Sequence, residues 1–264
     1  MSDSPCETLT VTRQGRVAVL SLNRPAAMNA ISMQMRAELR QTLGELRRDD
    51  GVGAAVLTGS GDKAFSSGMD LREFAQLKAD MPVAEIKRLR RDQGEGIAAF
   101  DKPILAAVNG LAVGGGVELA LLCDMVFAAD SASFSFGEIK RGLMPGNGGT
   151  QRLSRRTGVP RALDMILTGR TVGAQEALAI GLVDFVVPAA ELLQRALALA
   201  EQIAANAPVA VRTAKEAIQR GAEMSLEDGI RLEQDLASFL YTTQDAQEGP
   251  LAFLEKRAPR WQGR

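Results

Sequence analysis

The chain has 264 residues, 46% apolar and 24% charged, with 31 Lys and Arg set against 32 Asp and Glu. That size and apolar share suffice for one large buried core, and the balanced charge argues against a general footprint for nucleic acid or an anionic membrane. There is no histidine. Ser-His-Asp and Cys-His triads and His-ligated metal sites are therefore excluded, and carboxylates lead the candidates for proton transfer, ahead of Lys, Cys and the single Tyr241.

The opening "MSDSPCETLT" has neither a basic start nor an apolar stretch, so no signal peptide is expected. "RVAVLSLNRP" alternates apolar and polar residues and stops at Pro25, as a strand does. In "SMQMRAELRQTLGELRRD", Ser32 is placed as a helix cap, with apolar residues at helical spacing through Leu46. "GAAVLTGSG", "KPILAAVNG" and "DMVFAAD" predict three more strands. "KRLRR", Lys87 to Arg91, reads as a solvated helix face or as an anion-contacting patch. A helix is predicted over 114–123. Past residue 150, "VPRALDMILTG", "GAQEALAIG", "AAELLQRALALAEQIAANAP", "PVAVRTAKEAIQRG" and "SLEDGIRLEQDLASFLY" all predict helices, and only "LVDFVV" predicts a strand. The expectation is an α/β core with largely parallel strands, followed by a helical C-terminal region. No span reaches ~18 uninterrupted apolar residues, so no membrane crossing is expected. Two cysteines, Cys6 and Cys123, lack disulfide or metal-ligand spacing and fit a reducing cytoplasm.

Three stretches carry candidate chemistry. "NGLAVGGGVELALLCD" runs through Gly114, Gly115 and Gly116 to a lone carboxylate, Glu118, among aliphatic residues. The first turn of a helix starting there has free backbone N–H groups and partial positive charge, and glycine lets a ligand approach them. Glu118 follows Gly115 by one helical turn, so its carboxylate can face the same cavity. "SSGMD" offers a second N–H, that of Met69, at a predicted helix start. Two such groups converging on one oxygen make an oxyanion hole. "SFSFGEIKRGLMPGNGG" places Glu138 after a strand-like run and before a glycine-rich turn. Taken singly, each stretch also fits a structural reading: tight helix–strand packing, an ordinary cap, a surface loop acid. The glycines carry neither G-x-G-x-x-G nor the Lys and Ser/Thr of a P-loop.

Together "LNRPAAMNAIS", "AFSSGMDLREF", "KPILAAVNGLAVGGGVELALLCD", "FGEIKRGLMPGNGGTQRL", "LTGRTVGAQEALAIGLVDFVV" and "FLEKRAPRWQGR" resemble the crotonase superfamily, most closely its enoyl-CoA hydratases, in order and over essentially the whole chain. The resemblance implies a ββα spiral α/β core over 1–190. It implies a helical region over 191–264 that serves trimerisation and site closure, giving homotrimers or homohexamers. It makes the peptide N–H groups of Met69 and Gly115 the oxyanion hole for an acyl-CoA thioester, and Glu118 and Glu138 the two acids of hydration. Coenzyme A, carried as part of the substrate with no prosthetic group and no metal, is expected near Ala26 and Ala27 and near Gly68, Asp70, Leu71, Arg72 and Gly114. Arg24 and Arg72 are phosphate candidates, and Lys256 and Arg257 are expected to reach CoA from a neighbouring subunit. Double-bond isomerisation, a specialised hydroxyacyl-CoA dehydration, and RNA binding through Lys87 to Arg91 are the competing activities. Two departures stand out: Gly137 replaces a common proline, and Met69 replaces a small residue.

Overall fold

The computed structural model describes residues 6–76, 81–85, 87 and 95–264. Strand β1 (Leu9–Gln14) pairs antiparallel with β2 (Val17–Leu22), and β3 (Ala54–Gly59), β5 (Ile104–Val108), β7 (Met125–Ala129) and β10 (Phe185–Val187) add to it in parallel. The order in this six-stranded sheet is β1-β2-β3-β5-β7-β10. Every residue of β3 and β5 is buried, which is why both strands read as continuous apolar runs.

A second sheet takes β4 (Ala64–Ser66), β6 (Leu111–Val113), β8 (Ser133–Ser135) and β9 (Thr171–Gly173), in that order. Each central strand of the first sheet feeds the short strand that follows it in the second. The corners are tight: a Cβ on Gly59 would lie 2.5 Å from Ala64 O, and one on Gly110 would lie 2.5 Å from Lys63 O. Four helices accompany these turns: α1 (Met33–Arg48), α2 (Leu71–Gln76), α3 (Glu95–Ala98) and α4 (Gly115–Leu122). Helix α5 (Gly149–Thr157) follows β8. Strand, short strand and helix thus repeat as β3-β4-α2, β5-β6-α4 and β7-β8-α5, and both sheets climb in the same direction. This is the expected ββα spiral.

Ser32 caps α1 as predicted, its Oγ accepting the Met35 N–H at 3.1 Å. After α6 (Val159–Thr168) and α7 (Ala174–Ala179), α8 (Leu192–Ala204) buries Leu192, Ala196, Leu197, Ala200 and Ala204 across β2, β3, β5 and β7. Small residues bring it close, and a Cβ on Gly53 would stand 2.8 Å from that of Ala204. Helices α9 (Pro208–Gly221), α10 (Leu226–Leu240) and α11 (Gln244–Leu254) complete the described chain.

Two expectations need correction. A second strand, β9, follows residue 150 beside the predicted "LVDFVV" strand; three residues complete too little of a period-two pattern to show, and pairing with β8 makes the strand. Met69 is not at the helix start, because α2 begins at Leu71. Of Lys87 to Arg91, only Lys87 lies within the described residues, and it is exposed. Among the described residues no helix is long and apolar enough to cross a membrane.

One part-buried ion pair docks the C-terminal helices on the core. Lys215 Nζ on α9 donates to Phe100 O at 2.9 Å, Lys102 O at 2.9 Å and Asp124 Oδ2 at 2.8 Å. Asp124 Oδ2 also accepts the Ile104 N–H that opens β5. Lys215→Met takes the cation from that carboxylate, which keeps the Ile104 N–H and Gln219, and the donor from two carbonyls, and is expected to lower unfolding free energy by about 1–3 kcal/mol. Urea denaturation measures this directly; an unchanged midpoint would show the clamp to be idle.

Candidate active site

The three consecutive glycines sit in three different surroundings. Gly114 turns the chain from β6 into α4 at φ 51, in the left-handed region, and its N–H bonds Ser135 O at 2.8 Å. Gly116 lies on β4, where a Cβ would stand 2.3 Å from Ser66 O. Gly115 is the first residue of α4, so its N–H has no intrahelical acceptor. A Cβ there would meet only ordinary contacts, 3.4 Å from Ile31 Cδ1 and 3.5 Å from the Met69 nitrogen.

Met69 forms a one-residue parallel bridge with Ile31. The bridge is carried by the flanking groups, Ile31 N–H to Gly68 O at 2.8 Å and Asp70 N–H to Ile31 O at 3.1 Å. The N–H of Met69 therefore faces the opposite side, towards α4. Gly68 (φ 84) makes the approach possible, since a Cβ on it would be 2.5 Å from Val113 O and 3.1 Å from the Gly115 nitrogen. Two turns from different strands thus pack backbone against backbone and bring the Met69 and Gly115 amides side by side.

Glu118 lies one turn along α4 and is 3% exposed. Its Oε1 accepts the N–H groups of Asn147 at 2.7 Å and Gly149 at 2.8 Å. The glycine-rich turn is therefore more than a connector: it fixes the carboxylate, and a Cβ on Gly149 would collide with Oε1 at 2.8 Å. Sequence reading missed these two residues, although "PGNGG" was the signal. Arg152 stands near Glu118 and bonds Asn147 O at 3.2 Å; burial holds its pKa below the usual value, against the pull of the Glu118 charge.

Glu138 sits in a 3₁₀ turn, Gly137–Arg141, after β8. Its carboxyl lies against Gly114, where a Cβ would be 2.3 Å from Oε1. Oε2 is buried without a hydrogen-bond partner among the described residues. Burial holds this carboxyl above the ordinary carboxylate range; the neighbouring Glu118 charge pushes the same way, while its own backbone and Arg141 pull it down.

Gly68, Met69, Leu71, Gly114, Gly115, Glu118 and Glu138 all line one cleft of about 100 Å³, room for several waters. A smaller cleft of about 20 Å³, lined by Ile31, Met35, Leu39, Ile97, Leu119 and Leu122 together with Arg36 and Arg40, adjoins it and shares Arg36, Gly115, Glu118 and Asn147. The other sequence candidates lie outside these walls. Ala26 and Ala27 are exposed on a 3₁₀ turn, Pro25–Ala27. Arg24 Nη1 is turned inward, bonding Ala30 O at 2.7 Å and Asp70 Oδ2 at 2.8 Å, and Arg24 holds the Asp70 carboxyl below its usual range. Asp70 Oδ1 caps α2 through the Arg72 N–H at 3.0 Å. Arg257 is paired with Glu248 and Glu255, while Lys256 is exposed at φ 53. Among the described residues no group of three or more Cys, Asp or Glu could hold a metal ion.

The enoyl-CoA hydratase/isomerase family model matches residues 12–264. The chain belongs to the enoyl-CoA hydratase/isomerase family. Within that family it is 46% identical over 256 residues to a probable enoyl-CoA hydratase of Mycobacterium tuberculosis, covering 97% of this chain and 98% of the relative. It is 42% identical to the 2,3-dehydroadipyl-CoA hydratase of Escherichia coli, covering 97% and 99%. The crystal structure of an enoyl-CoA hydratase from Bacillus anthracis superposes with a TM-score of 0.93 at 40% identity, covering 98% of this chain and all of that one. The crotonase architecture of enoyl-CoA hydratase/isomerase proteins is thus the architecture of this chain, and its two sheets place the glutamate pair and the two amides in one cleft.

Proposed function

We propose that the protein hydrates 2-enoyl-CoA thioesters to 3-hydroxyacyl-CoA, with Glu118 and Glu138 as its proton carriers. The observation that carries this reading is the convergence of the Met69 and Gly115 amides in a cleft lined by both glutamates. Attack of water on a conjugated thioester builds negative charge on the carbonyl oxygen. Each fixed N–H aimed at that oxygen contributes about 2.7–4 kcal/mol to the charged state. The water oxygen bonds to the β-carbon while its proton passes to Glu118. Both backbone donors land on Glu118 Oε1, which orients the carboxylate and leaves Oε2 as the acceptor. Glu138 delivers a proton to the α-carbon, and exchange with solvent restores both acids. Burial suits Glu138 to this task by favouring its protonated form.

The CoA moiety lies along the exposed turn at Ala26 and Ala27 and the start of α2, near Arg72. Arg24 serves instead as a strut for this region, since Asp70 and Ala30 O already engage it. The free thiols of Cys6 and Cys123 agree with a reducing cytoplasm. The test of the activity is product analysis with a 2-enoyl-CoA and a 3-enoyl-CoA side by side. Loss of the conjugated absorbance with formation of 3-hydroxyacyl-CoA supports the reading; turnover of the 3-enoyl thioester alone would replace it with isomerisation.

The region over 191–264 is assigned to assembly as a trimer or a pair of trimers, with α9–α11 supplying the contacts. Helix α10 buries no residue within the chain. Leu226, Tyr241, Phe253 and Leu254 are 81%, 82%, 83% and 77% exposed, an apolar display that a second subunit would cover. In such an assembly Lys256, rather than the already paired Arg257, is the cation for a neighbour's CoA phosphate. Sedimentation at micromolar concentration decides: a monomer would overturn the assignment.

A further inference from the structure

Glu138 depends on a turn that begins at a glycine, and glycine supplies no side chain to stiffen it. What fills the space is Arg141, four residues on. Its Nη1 donates to Gly137 O at 2.8 Å and lies 2.8 Å from where a Gly137 Cβ would stand. The guanidinium therefore folds back over the start of the turn that its own residue ends, and it lines the cleft beside Glu138. Lys140 is turned the other way, its Nζ donating to Gly169 O at 2.7 Å. The charged residues of the cleft are Arg36 from α1, Glu118 from α4, and Glu138 and Arg141 from the turn itself.

We propose that Arg141 is a positioning residue: it straps the Gly137–Arg141 turn and so fixes where the Glu138 carboxyl stands against Gly114. This rests on the hydratase reading of Glu138. The strap has two separable effects. The bond to Gly137 O holds geometry. The positive charge stabilises the Glu138 carboxylate, opposing the burial that favours its protonated form. Because the acid form of Glu138 delivers the proton, kcat falls as pH rises through its pKa, and removal of the charge moves that basic limb upward.

The experiment is a pH profile of kcat and KM for a short 2-enoyl-CoA, with wild type, Arg141→Ala, Arg141→Lys and the double variant Arg141→Ala with Gly137→Pro. Misplacement of a catalytic group by about 1 Å costs on the order of 100-fold, so Arg141→Ala is expected to lower kcat by about 10- to 100-fold with KM little changed, and to shift the basic limb to higher pH. Arg141→Lys should keep the limb in place while kcat stays low, because an ammonium cannot reproduce the fork over Gly137. Proline at 137 is compatible with the turn, since Gly137 is the first residue of the 3₁₀ helix, the position that proline favours. In the Arg141→Ala background it should recover kcat by stiffening the backbone, with the limb still displaced. An unchanged kcat and an unmoved limb in folded Arg141→Ala would overturn the strap. If that variant melts at assay temperature, a wild-type kcat in Arg141→Lys would overturn it instead. Absence of wild-type turnover on every 2-enoyl thioester is a different result, and would sink the hydratase reading itself.

Discussion

Glu138→Gln is expected to lower kcat for hydration by about 100- to 10,000-fold, the range associated with a lost general acid. An amide of the same shape fits the space beside Gly114 and has no acidic proton to give the α-carbon. CoA product affinity, read by calorimetry, should stay within about twofold, a change too small to register as a lost contact. The basic limb of the residual kcat should vanish with the residue that titrates there. Glu118→Gln should show a comparable loss for the opposite reason. Its carbonyl oxygen can still accept from the Asn147 and Gly149 amides, so the turn stays ordered, yet nothing remains to take the water proton. Wild-type-like turnover in either variant, with a normal melting curve, would remove that glutamate from the mechanism.

A glycine-to-alanine scan over 114–116 should give three different phenotypes from three adjacent residues. Gly114→Ala puts a methyl where the Glu138 carboxyl now lies, 2.3 Å from Oε1, at φ 51 and ψ −112, a backbone combination that side chains rarely adopt. It is expected to cost about 1–3 kcal/mol of stability and to displace the acid, cutting kcat by at least about 100-fold. Gly116→Ala drives its methyl to 2.3 Å from Ser66 O, a backbone atom in a buried strand. Here the fold suffers first, with about 1–3 kcal/mol lost to overpacking. Gly115→Ala meets no such clash. Its methyl would stand 3.5 Å from the Met69 nitrogen, in the space proposed for the thioester oxygen. Normal stability with depressed kcat/KM is the expected result there. Paired melting curves and steady-state kinetics on the three variants distinguish the outcomes. If Gly115→Ala were as active as wild type, the oxyanion role of that amide would fail.

Much of the architecture is written locally. The Ser32 cap, the 3.6-residue apolar spacing of α1, and the buried runs of β3 and β5 each follow from neighbours in the chain. The absence of histidine, a fact of composition, already pointed the proton chemistry at carboxylates. Residues in glycine-bearing turns beside Glu118 and Glu138 marked where that chemistry would lie. The α8 face, with Leu192, Ala196, Leu197 and Ala200 at helical spacing, was likewise visible as an apolar stripe.

Which surfaces meet was another matter. Nothing near Asn147 in sequence says that its amide ends on Glu118, twenty-nine residues earlier. The Met69 amide owes its direction to a bridge with Ile31 that local propensity does not encode. Arg24 read as a surface charge free for phosphate until Asp70 and Ala30 O claimed it. The three-residue strands β4, β6 and β9 exist only because a partner strand lies beside them. Periodicity is a property of one segment and survives in the sequence. The approach of the Met69 and Gly115 amides is a property of the register between two sheets, set by how closely Gly59, Gly68, Gly110 and Gly116 let backbone approach backbone, and only the folded chain expresses it.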